Sequence, residues 1–214
     1  MKKILIICVI LLLVSISLPT AEAPVDNISI RSKKVDFRAS YAYILSLEGW
    51  YANVEHDKGK ETYAGISRFY YPFWHGWQYL DKYKWQHGGK IAWNTHIPDK
   101  MLDFYVQDFY LDIWVKEKWY DLNDQKVTNH TIDLRINGTP GVRIIKRTLN
   151  DLGWKLNVNN NMDSLTISYI NKSNKYVYLR TLKQRRENFY YNIVKRDSTQ
   201  KKFLFNWLSR SNKI

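Results

Sequence analysis

Residues 37–51, FRASYAYILSLEGWY, decide how the chain folds. Phe37, Tyr41, Ile44 and Leu45 recur at the spacing of an amphipathic helix, and Gly49 is a natural stop for it. Glu48 follows Phe37 by close to three full turns, so its carboxylate falls on the same face as the apolar stripe. A carboxyl on that face is either buried or lines a cleft. The spacing predicts a helix from Phe37 that delivers one acidic group at its end.

Working outward, the segment from Trp50 to Phe69 carries Asp57, Gly59 and Gly65 between short β-favouring pieces and reads as a loop or small hairpin. Pro98 then signals a helix start, and Met101, Leu102, Tyr105, Phe109, Ile113 and Trp114 predict a long helix from Asp99 to Trp119, the expected central core helix. Val142, Ile145, Leu149 and Leu152 predict a helix over 141–152 that Gly153 ends. A further helix is expected around Thr166, another from Lys175 to Arg196, and Phe203, Leu204, Trp207 and Leu208 close the chain. Strand signals are confined to the region after the first helix, so the expected class is mainly α, formally α+β. No internal repeat is visible.

Toward the N-terminus, Lys2 and Lys3 precede an apolar run from Ile4 to Leu18, followed by Ala21-Glu22-Ala23. This pattern predicts a secretory signal peptide over residues 1–23, and the run is shorter than the ~20 residues a spanning helix needs. Contact with a membrane is expected only through that segment. Residues 24–34 read as an unstructured lead-in. Cys8, the only cysteine, lies inside the apolar run, so disulfides are not expected.

The formal net charge of +13 points to a polyanionic partner. Export excludes nucleic acid as the first choice, and no nucleic-acid motif is present, which leaves an acidic envelope polymer. Nine Trp and sixteen Tyr residues suit a sugar-gripping surface, although core packing is expected for at least half of the series Trp74, Trp77, Trp85 and Trp93. The basic cluster Lys183–Arg186 with Lys195 and Arg196 reads either as a contact for acidic wall polymers or as a solvated helix face. His56, His75, His87, His96 and His130 are dispersed without metal-ligand spacing, so neither a metal nor a cofactor is expected.

The chemistry-bearing pattern is Glu48-Gly49, then Asp57 nine positions on and Thr62 fourteen on. Two carboxylates in unlike surroundings can divide acid and base work. Cleaving a glycosidic bond needs a protonated acid at the leaving oxygen, a role that suits the partly buried Glu48. Asp57, on a polar loop, could orient a water or stabilise an oxocarbenium charge, and the Thr62 hydroxyl could hold that water.

Glu48-Gly49-Trp50-Tyr51, continuing through Asp57-Lys58-Gly59-Lys60-Glu61-Thr62 to Gly65-Ile66-Ser67, resembles the signature of the glycosyl hydrolase family 108 N-acetylmuramidases. Asp133-Leu134-Arg135-Ile136-Asn137, Ile144-Ile145-Lys146-Arg147-Thr148-Leu149 and the ending Phe203–Arg210 are similar to later parts of that family. The resemblance implies a lysozyme-like fold, a catalytic Glu48, substrate contacts from Tyr51, Tyr63 and Asn137, and cleavage between N-acetylmuramic acid and N-acetylglucosamine. It divides the chain into a catalytic region over 35–138 and, over 139–214, a helical region resembling a peptidoglycan-binding module. The expected partner is the peptidoglycan glycan strand, met by an exported monomer. Trp50 replaces a second Gly and Lys146 a Gln of the family pattern. Asn159, Asn160 and Asn161 stand where the second region usually has turn glycines. Two rivals remain: a non-catalytic wall-binding protein, and a lytic transglycosylase of the same fold.

Overall fold

The computed structural model describes residues 34–53, 61–137 and 140–214. The segment expected to be a signal peptide, most of the expected lead-in and Asp57 therefore lie outside the described residues. Helix α1 (Phe37–Leu45) starts on Asp36, whose carboxylate accepts the Arg38 N–H at 2.8 Å. A three-stranded antiparallel sheet follows, β1 (Tyr51–Asn53), β2 (Glu61–Tyr63) and β3 (Ile66–Ser67) in that order. The rest is helical: α2 (Trp77–Gln86), α3 (Lys100–Lys116), α4 (Gln125–Ile136), α5 (Gly141–Asp151), α6 (Ser164–Lys172), α7 (Lys175–Arg196) and α8 (Lys201–Ser211). The expectation of a mainly α chain with a small hairpin after the first helix holds.

Two elements depart from their sequence signal. The stripe on α3 that enters the core is Leu102, Val106, Tyr110 and Trp114, whereas Met101 is exposed. The helix buried on most of its faces is α4, not α3: Val127, Thr128, His130, Thr131, Ile132, Asp133 and Leu134 are all buried. Its polar residues find partners inside. Thr128 and Thr131 hydroxyls donate to the Asp124 and Val127 carbonyls at 2.8 and 2.6 Å. Gln125 and Asn129 join α1 through the buried Ser40, whose hydroxyl donates to Asn129 Oδ1 at 2.8 Å and accepts from Gln125 Nε2 at 2.9 Å. Such a helix carries too little apolar periodicity to announce itself.

Helix α5 ends as expected: Gly153 takes φ +94° and the Trp154 N–H returns to the Leu149 carbonyl at 3.1 Å, a Schellman closure. The Asn-rich stretch after it is held from α5. Lys146 is almost completely buried, and its ammonium donates to Asn159 Oδ1 at 2.9 Å and Asp163 Oδ2 at 2.7 Å. Asp163 in turn caps α6 by accepting the Thr166 N–H at 2.8 Å. The Lys in place of Gln and the missing turn glycines are thus parts of one contact.

At the other end of α5, Gly141 lies against α4. A Cβ on Gly141 would meet the Leu134 carbonyl oxygen at 2.3 Å and Arg135 Cα at 2.7 Å, both backbone atoms that cannot swing away. Gly141→Ala should therefore destabilise the protein by about 3 kcal/mol despite the better helix propensity of alanine. Urea denaturation should show this as a lower midpoint at unchanged slope. Gly153→Ala meets no neighbour, and its cost should be only the roughly 1 kcal/mol of the left-handed backbone.

Candidate active site

Glu48 sits one turn beyond α1. Its N–H still bonds the Ile44 carbonyl at 3.0 Å, so the helical turn carries through to it even though the regular helix stops at Leu45. The side chain is 16% exposed, and Oε1 accepts from Arg210 Nη2 at 2.6 Å. The carboxyl is therefore part-buried, with one oxygen gripped by Arg210 and the other beside Gly65 without a hydrogen bond among the described residues.

The hairpin forms the wall beside it. Tyr63 pairs with Ile66, leaving Ala64 and Gly65 as the two turn residues, with φ +48° and +79°. Two consecutive left-handed residues make the turn that matches the sheet's twist, and the first of them, an alanine, is strained there. The Tyr110 hydroxyl of α3 donates to the Ala64 carbonyl at 2.6 Å, and the Ala64 N–H donates to the Trp50 carbonyl at 2.8 Å. Gly65 faces the acid: a Cβ there would lie 2.9 Å from Glu48 Cγ, Cδ and Oε2. Burial, and after it the Glu48 charge, push Tyr110 well above its ordinary value.

Arg210 belongs to α8, far along the chain, and it is held in turn by Asp133 of α4, with Nε on Oδ1 at 3.0 Å. Asp133 also accepts from Arg186 of α7 at 2.7 Å, where both side chains are closed to solvent. The result is an alternating chain of charge, Glu48, Arg210, Asp133, Arg186. Burial alone would raise the Asp133 carboxyl and lower the Arg210 guanidinium. Their opposite charges outweigh it, holding Asp133 below and Arg210 above its ordinary value. Arg186, expected in a wall-facing or solvated basic cluster, is instead a buried member of this network. Its neighbours stay outside, with Arg185 on Asp151 and Lys183 near Glu187.

The other candidates are placed unequally. Thr62 is half-buried on β2, opposite Ala52 and Ser67, on the reverse face from Glu61 and Tyr63. Tyr63 is fully buried, and its hydroxyl accepts the Ile97 N–H at 3.1 Å. Tyr51 is buried beside Glu61, and burial with that carboxylate pushes it up to about 12. Asn137 ends α4 and donates to the Tyr190 hydroxyl at 3.3 Å. It also lines a pocket of about 350 Å³ with Leu47, Trp207 and Arg210 behind Glu48. Glu61, Arg210 and Asp133 were quoted in the motifs without a role. Glu61 is buried and braced by Arg68 at 3.1 Å and by Lys84. Of the Trp series, Trp77 and Trp74 pack on the core, while Trp85 and Trp93 are largely exposed.

His130 lies one turn before Asp133, its Nδ1 2.8 Å from the Tyr43 hydroxyl. Burial and then Lys126 push it down to about 4, so the folded protein keeps it neutral where the unfolded chain, titrating near 6.5, binds a proton. Stability should consequently fall as pH drops from about 6.5 to 4, with a limiting slope of about 1.4 kcal/mol per pH unit. Below about 4 the Asp133 contribution is lost as well, because its folded form resists protonation. Chemical denaturation across pH should show the first decline in the wild type and not in His130→Gln, with the acid limb kept in both.

Residues 41–138 match the model of the glycosyl hydrolase 108 family, and residues 140–212 match that of a predicted peptidoglycan domain. Among solved structures, SagA of Brucella abortus is similar in fold, with a TM-score of 0.52 at 20% identity over 83% of this chain and 90% of that one. No curated protein matches the chain. The chain is a glycoside hydrolase, with a glycosyl hydrolase 108 region over residues 41–138 followed by a peptidoglycan domain over residues 140–212.

Proposed function

We propose that this protein is exported and hydrolyses the β-1,4 bond between N-acetylmuramic acid and N-acetylglucosamine, with Glu48 as general acid. The observation that carries this reading is the posture of Glu48, part-buried, with Oε1 held by Arg210 and Oε2 beside Gly65 without a hydrogen bond among the described residues. The proton leaves Oε2 for the glycosidic oxygen as its bond to the anomeric carbon breaks. The Glu48 carboxylate left behind is already paired with a guanidinium. Water then adds to the oxocarbenium-like carbon and gives up a proton, which restores the Glu48 acid. Thr62 holds that water and Asp57 orients it or stabilises the cation, with Asp57 outside the described residues.

In this reading residues 35–138 cleave, and residues 139–214 hold the wall and supply Arg210. Tyr51 and Tyr63, expected to touch the substrate, are both buried, so in this reading they support the hairpin beside the acid instead, and Asn137 meets the substrate from the pocket behind it. Residues 1–23 direct export and are removed, leaving a soluble monomer.

Glu48→Gln should lose about three orders of magnitude in release of soluble fragments from purified peptidoglycan while folding normally, the usual worth of a general acid. Mass spectrometry of the wild-type products should show a water added at each cut. Anhydro sugar ends would overturn hydrolysis in favour of a lytic transglycosylase. Gly65→Ala crowds the carboxyl without removing it and should cost about a hundredfold in rate. Circular dichroism should show that variant folded and only slightly less stable.

A further inference from the structure

The second region carries a groove that the cleavage chemistry does not use. It lies between α5 and α7, has a volume of about 310 Å³, and shares no lining residue with the pocket behind Glu48. Arg143 and Arg147 rise on one side, Arg185 and Arg196 on the other, and none of its lining residues is acidic. Asn188 and Asn192 project from α7 one turn apart. Phe189 and Ile193, both part-buried, add apolar surface.

The arginines here are unbalanced in a way most of the others are not. Among the described residues, Arg68, Arg135, Arg185, Arg186 and Arg210 each hold a carboxylate. Of the five arginines that hold none, Arg38 and Arg180 lie elsewhere, and Arg143, Arg147 and Arg196 all line this groove. Arg143 and Arg147 sit four residues apart on one helix, a repulsive spacing that adds nothing to the fold. An anion between them relieves that repulsion, and guanidinium forks bind carboxylates in a bidentate manner.

We propose that this groove binds the carboxylates of the peptide stems of peptidoglycan, an inference that rests on the reading of the chain as a peptidoglycan hydrolase. Three free guanidiniums receive the acidic groups, the two Asn side chains pair with peptide amides, and the Ile and Phe surface takes alanyl methyls. A phosphodiester polymer would use the arginines but neither the amides nor the apolar surface. The stem is therefore the better fit. Gripping stems in the second region would hold the glycan strand near the acid without competing for the sugars being cut.

The test is calorimetric titration of the full chain and of Arg143→Gln/Arg147→Gln/Arg196→Gln. The ligands are a free L-alanyl-D-glutamyl stem peptide, the same peptide with its carboxyls amidated, and inorganic phosphate. The substitutions are all exposed, so the variant should fold. The stem peptide should bind the wild type at least tenfold more tightly than the variant and at least tenfold more tightly than its amidated form. Equal binding by wild type and variant would overturn the proposal, as would phosphate binding more tightly than the peptide. Cleavage of glycan stripped of peptide should be the same in both proteins. Absence of cleavage by the wild type would instead overturn the muramidase reading, whatever the groove binds.

Discussion

The structure turns on one row of alternating charge running from Glu48 through Arg210 and Asp133 to Arg186. Two carboxyl groups alternate with two guanidiniums along it. Its inner pair, Asp133 and Arg186, is closed to solvent. Removing such groups from water is costly, and their pairing offsets it; deleting a member of this inner pair leaves an uncompensated buried charge, typically worth about 3–5 kcal/mol. At the inner end the Tyr190 hydroxyl accepts from Arg186 Nε at 2.9 Å while Arg186 Nη2 has no hydrogen bond among the described residues, and Tyr190 stacks on Trp207 with ring centres 5.2 Å apart.

The four charges come from four separate segments: the turn after α1, then α4, α7 and α8. Each contributes a group that has no sense without the others, so satisfying the row fixes how the segments dock. Glu48 and Asp133 lie within the residues that match the glycosyl hydrolase model, whereas Arg186 and Arg210 lie within the peptidoglycan domain. The second region is therefore not a tethered accessory. Its last helix reaches back to the acid at the head of the first region.

Local periodicity made much of this legible. The apolar stripes of α1, α5 and α7, the long helix after Pro98 and the glycine stop at 153 are all patterns within a few turns. Helix α4 was marked only by its place in a family motif, because its buried positions are Thr, His and Asp that satisfy one another inside. Arg186 read as surface for the same reason: its carboxylate stands 53 residues away and carries no local signal. Lys146 and the Asn-rich stretch registered as two unrelated departures from a pattern. Only the fold brings the ammonium onto Asn159 and Asp163 and makes them one substitution in effect. Arg210 could have been found from its place in the closing motif, but nothing in sequence pairs it with Glu48.

What pairing adds to Glu48 is position. A carboxylate at the end of a short helix has free torsions and would sample many orientations. Here the choices are removed from several sides at once. Arg210 holds one oxygen, the Ala64–Gly65 turn closes against the other, and Tyr110 pins that turn through the Ala64 carbonyl. The left-handed strain at Ala64 is tolerated because these contacts over-determine the turn. In the proposed reaction, preorganisation of this kind moves the ordering cost of the carboxyl from the moment of reaction to the moment of folding, and the buried Asp133–Arg186 pair anchors the row on which it rests.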